Sequence, residues 1–124
     1  MKKLLIEKRD ISDIPEENKH GDCFVVALNT FLEDPENYTL VHGVVTGQGP
    51  IEGIEYCHAW VIDESTDTVI DNTLPASYSK LPVNMYYRIG KIEITKEYDY
   101  KQVLKMIDKY GTYGPWDKVF EQYP

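Results

Sequence analysis

No stretch of this 124-residue sequence approaches the roughly 20 apolar residues that a membrane-spanning helix needs. The basic start, Met1-Lys2-Lys3, is followed by only three apolar residues, Leu4-Leu5-Ile6, before charges return. That is too short for the apolar segment of a secretory signal. Cysteine is scarce: Cys23 and Cys57 alone cannot form a disulfide framework. These absences together lead to the expectation of a soluble, cytoplasmic protein with both thiols reduced. Positive charge is also short. Thirteen Lys and Arg against 21 Asp and Glu leave a net charge of −8. Such a surface repels phosphate backbones and gains nothing from counterion release. Neither nucleic acid nor an anionic membrane is therefore expected as a partner, whereas a protein or peptide is compatible with it. Acidity in itself also serves solubility. Internal repeats and low-complexity segments are missing. Cys23, Cys57, His42 and His58 lack the paired spacing of metal ligands, so no metal is expected.

What is present suits one domain over 1–124, long enough for a modest core. Ten tyrosines suit half-buried strands and pocket walls. Residues 4–6 read as a short edge strand, and 10–19, with Pro15, as a loop. A helix is expected over 22–32, where Cys23, Val26, Ala27, Thr30 and Phe31 follow helical spacing. Pro35 ends it. Strands are expected over 38–46 and 55–63, the second turning through Glu64-Ser65-Thr66-Asp67 into a partner over 68–72. Residues 74–82 read as irregular and 85–94 as one more strand, interrupted near Gly90. A helix over 99–110 follows from Val103, Leu104, Ile107 and Tyr110, with a last short helix in the tail. The sum is α+β: an N-terminal helix packed on an antiparallel sheet, and a C-terminal helix.

Three residues carry a specific chemistry. Cys23 stands in the first turn of the expected helix, behind Gly21 and a capping Asp22. The positive end of a helix and a neighbouring imidazolium both favour thiolate. Backbone N–H groups there are placed to hold an oxyanion. His58 opens His-Ala-Trp-Val-Ile and is the candidate general base and acid. Asp71 closes Val-Ile-Asp and is the candidate orienting acid. A turn centred near 65–66 sets residue 60 opposite residue 71, one step from His58 on the same sheet face. Asn72 is expected to point the other way, Asp63 to serve the turn, and Cys57 to face away from His58 into the core. His42 is strand filler or a support group behind the site. The Gly47-Gln48-Gly49-Pro50-Ile51-Glu52-Gly53 loop is a candidate lid. Trp60 and Gln48 are candidate walls of a substrate groove, with Tyr86 and Tyr87 building core and groove.

Gly-Asp-Cys-Phe-x-x-Ala, then His-Ala-Trp-Val, then Val-Ile-Asp-Asn-Thr, resembles the papain-like and transglutaminase-like cysteine enzyme superfamily over residues 20–74. The resemblance implies a papain-like core and acyl transfer through a thioester, with Cys23 as nucleophile, His58 as base and Asp71 as orienting acid, and no cofactor. Phe24 stands where the transglutaminase branch often has Trp. No glutamine stands at the papain-like oxyanion spacing, which leaves Asn18 or His20 as the candidate oxyanion side chains. The activity so implied is a thiol-dependent hydrolase or acyltransferase acting on an amide or isopeptide bond. The rival is a non-catalytic interaction module, an inhibitor or regulator on the same core.

Overall fold

The computed structural model describes residues 22–123. The expected edge strand at 4–6 and the oxyanion candidates Asn18 and His20 lie outside these residues. The first helix, α1 (Cys23–Phe31), is buried along its whole length except at Phe24. A helix apolar on nearly every side belongs inside a core. Asp22 stands at its N-cap but makes no side-chain cap hydrogen bond, in contrast to the sequence expectation. Its φ of −104° and ψ of 26° keep it out of the extended region that a capping residue adopts.

Strands β1 (Tyr38–Thr46), β2 (Glu55–Asp63) and β3 (Thr68–Ile70) follow. The short edge strand β4 (Lys80–Pro82) comes next, within a segment read from sequence as irregular. Helix α2 (Val83–Ile89) then replaces the strand expected over 85–94. Its β-branched and aromatic residues favour strand. Pro82 instead fixes the chain at the helix start, and Val83, Tyr86 and Tyr87 turn one face onto the sheet. Strand β5 (Thr95–Tyr98) and helix α3 (Tyr100–Tyr110) complete the main elements. Asp99 and Gln102 form a reciprocal capping box at the start of α3, and Gly111 ends it at φ 68°. A 3-10 turn (Lys118–Gln122) follows.

The five strands form one antiparallel sheet in the order β4-β3-β2-β1-β5. Alternation divides its side chains into two cores. Leu40, Ala59, Val61, Ile70 and Tyr98 meet α1, Val103 of α3 and Trp116. Val41, Val45, Trp60, Ile62 and Val69 meet Tyr86 of α2. A side chain at Gly43 would collide with the Trp60 ring, so glycine there lets the indole lie across β1.

His42 is fully buried on the α1 side of β1. Its ring sits among Phe24, Tyr98, Trp116 and Phe120. Neither ring nitrogen has a hydrogen-bond partner among the described residues. Burial therefore pushes its pKa down to about 3. The folded chain keeps this ring neutral while the unfolded chain protonates it near the ordinary value of 6.5. The stability it contributes is complete above about pH 6.5 and is lost as pH falls towards the folded value, by up to ~1.4 kcal/mol per pH unit. Urea midpoints measured from about pH 7 to pH 5 are expected to fall more steeply for the native chain than for His42→Phe. Equal slopes would show that the ring is not held neutral.

Candidate active site

Asp71 immediately follows β3, and its N–H donates to Ser79 O at 2.8 Å. The β2–β3 register pairs Val61 with Ile70 and Ile62 with Val69. Continued outward, that register sets residue 60 opposite residue 71. His58 and Asp71 consequently share the α2 face of the sheet. His58 Nε2 lies 2.8 Å from Asp71 Oδ2. Both residues are buried, at 6% and 3% exposure.

The carboxylate is met on every side. Tyr86 donates its hydroxyl to Oδ2 at 2.6 Å. Thr73 donates both its backbone N–H, at 3.1 Å, and its hydroxyl, at 2.5 Å, to Oδ1. An Asp whose side chain accepts from the N–H two residues on is a recurrent turn device, and Asp-Asn-Thr builds it here. Asn72 points away from the imidazole and donates to Thr30 Oγ1 at 2.8 Å. It thereby ties the segment carrying Asp71 to the helix carrying Cys23.

Cys23 is the first residue of α1, which packs mainly on β2. It is buried, at 5% exposure. It stands close enough to the His58 ring to act on the charge of that ring. Burial opposes charge on this ring, but the hydrogen bond and negative charge of Asp71, with Cys23 nearby, outweigh it and raise the His58 pKa from its ordinary value. Burial likewise opposes the Asp71 charge, and His58, Thr73 and Tyr86 together hold its pKa down. Each member of the pair thus favours the charged form of the other.

A cleft of about 540 Å³ opens on this face, and His58, Asp71, Tyr56 and Gln48 are among its lining residues. Cys23 is not part of that lining. Gln48 belongs to the glycine-rich loop, which is a hydrogen-bonded turn: Gly47 N–H donates to Ile54 O and Gly53 N–H to Gly47 O. Its side-chain amide donates to Ile89 O at 3.0 Å, joining the loop to α2. Trp60, expected in the groove, is instead fully buried beneath α2, with Tyr86 at 5.3 Å and Tyr87 at 5.7 Å between ring centroids. It backs His58, whose ring centroid lies 6.1 Å away.

Asp63 accepts from Ser65 in the exposed turn. Cys57 is half-buried, and both cysteines are free thiols. Burial and the neighbouring Cys23 push the Cys57 thiol up to about 12. Among the described residues no group of three or more His, Cys, Asp or Glu side chains converges to hold a metal ion. No helix among them is long and apolar enough to cross a membrane.

Tyr56 and Thr73 were not singled out for the site in the sequence, and Tyr86, expected in core and groove, was not expected as a partner of Asp71. Tyr56 lies two residues before His58 on the same strand face, with ring centroids 6.1 Å apart, and strand alternation alone would find it. Thr73 is visible as the turn partner of Asp71. Tyr86 becomes a partner of Asp71 only through the docking of α2.

Asp71→Asn removes the charge that favours imidazolium, so NMR titration of the His58 ring is expected to give a pKa more than one unit below that of the native chain. Tyr86→Phe leaves a buried carboxylate short of one donor, and urea denaturation is expected to show a loss of about 1.5–3 kcal/mol. An unchanged stability would mean that the Tyr86 hydroxyl does not hold Asp71. Compared with protein-family models, with curated proteins and with solved structures, the chain matches none.

Proposed function

We propose that this chain is a thiol-dependent hydrolase or acyltransferase acting on an amide or isopeptide bond, built on a papain-like or transglutaminase-like core. The observation that carries the reading is the buried His58–Asp71 pair, with Cys23 close enough to act on the charge of the same ring. A nucleophile, a base and an orienting acid in that order form the minimum for covalent acyl transfer. The position of Cys23 at the head of α1 adds first-turn N–H groups that have no partner within the helix, where an oxyanion is stabilised.

In the proposed cycle the Cys23 sulfur, deprotonated with the proton on His58, bonds to the amide carbon. The carbonyl π electrons move to oxygen and give a tetrahedral oxyanion. That oxyanion collapses, the C–N bond breaks, and His58 gives its proton to the leaving amine. A thioester remains. Water or an amine, deprotonated by His58, then attacks the thioester and releases the sulfur. Water yields hydrolysis and an amine yields transfer. Asp71 remains ionised throughout and fixes which ring nitrogen faces the thiol.

A second reading, a non-catalytic module that binds a protein partner, draws on the burial of Cys23 and its place outside the cleft lining. Alkylation separates the two. With iodoacetamide at about pH 6, Cys23 is expected to label much faster than Cys57, whose thiol is held protonated. His58→Ala is expected to abolish that preference, with circular dichroism confirming that the variant folds. Equally slow labelling of both thiols in the native chain would refute the enzyme reading.

A further inference from the structure

The cleft beside His58 has a chemistry of its own. Val45 and Leu81 contribute to its sheet side and Leu74 to its wall. Ile51, Tyr78 and Ile89 also line it, yet they are 44%, 61% and 50% exposed. These three belong to separate parts of the chain: the turn before β2, the 3-10 turn after β3, and the end of α2. Their convergence makes an apolar rim open to water, and such a rim marks a binding site more than a scatter of surface side chains.

Charge is nearly missing from this wall. Among its lining residues only His58 and Asp71 are charged, and they are bonded to each other. A charged substituent entering the cleft would lose its hydration and find no free counter-charge. An uncharged apolar group would lose nothing and cover the rim. The volume of about 540 Å³ lies within the range of small-ligand pockets, with room for one large side chain and adjoining main chain.

We infer that this cleft receives a large, uncharged apolar side chain, aromatic or branched aliphatic, of a peptide substrate whose scissile amide lies beside His58. The inference rests on the thiol-enzyme reading for what is cleaved, but the recognition is a property of the cleft alone. It is tested by titrating N-acetyl-phenylalaninamide, N-acetyl-leucinamide, N-acetyl-lysinamide and N-acetyl-glutamic acid amide into the full chain carrying Cys23→Ala, followed by amide-shift NMR. The phenylalanine and leucine probes are expected to bind about tenfold or more tightly than the charged ones. Their shifts are expected to cluster at Leu74, Leu81 and Ile89. Ile89→Asp, a change at an exposed position, is expected to weaken the phenylalanine probe about tenfold while leaving the thermal midpoint nearly unchanged. Absence of binding, equal binding of charged probes, or shifts mapping elsewhere would overturn the proposal. Alkylation of the native chain tells the two readings apart. A reactive Cys23 with no probe binding removes the substrate class alone, whereas selective probe binding with an inert Cys23 keeps the cleft and removes the enzyme.

Discussion

A carboxylate at 3% exposure is the demand around which this fold is organised. An ionised group taken out of water costs several kcal/mol unless its lone pairs are met. Asp71 accepts from His58 on β2, from Tyr86 on α2 and twice from Thr73 in its own turn. Each donor comes from a different structural decision: strand register, helix docking and loop conformation. Losing any one leaves a buried charge short of a donor, which couples the local geometry of the candidate site to the stability of the sheet. Removing one partner of such a network costs more than the bond itself was worth.

Much of this arrangement was legible from the residues. The bounds of β1 and β2 were readable because β-branched and aromatic residues run between clear turn residues. The turn chemistry of Asp63-Glu64-Ser65-Thr66-Asp67 fixed the hairpin register, and with it the meeting of His58 and Asp71. The helix under Cys23 was legible from spacing, and α3 from its periodicity. Helix α2 was not, because Val83, Tyr86, Tyr87 and Ile89 prefer strands when considered singly and only the sheet beneath rewards their helical face. Strand β5 was missed for the opposite reason. Lys96 and Glu97 give an exposed edge strand little apolar pattern, and charged side chains are common on strands that must not pair further. Tyr86 at Asp71 and the burial of Trp60 followed from the same hidden helix.

The cleft and the candidate triad divide their labour through β2. Tyr56, His58 and Trp60 stand in sequence on one strand face. The first lines the cleft, the second meets both the cleft and Asp71, and the third disappears into the core. Burial therefore grades along three alternate residues from solvent to interior. The imidazole sits at the crossing, where it is dry enough for strong electrostatics and close enough to the cleft to reach a ligand.

The two described histidines measure what that placement achieves. His42 and His58 lie on adjacent strands, their partners across the β1–β2 ladder being Ala59 and Gly43. Both are buried. His42 faces aromatic rings, has no acceptor among the described residues, and is held neutral. His58 faces a carboxylate, and its pKa is raised. Burial pushes both rings the same way, so the difference lies in the acceptors that each sheet face supplies. A one-residue shift in strand β2 would turn His58 away from Asp71 and bring Cys57 to that sheet face. The parity of the strand is thus a chemical instruction as much as a packing one. Trp60 over Gly43 favours that parity, because a side chain at position 43 would collide with the indole.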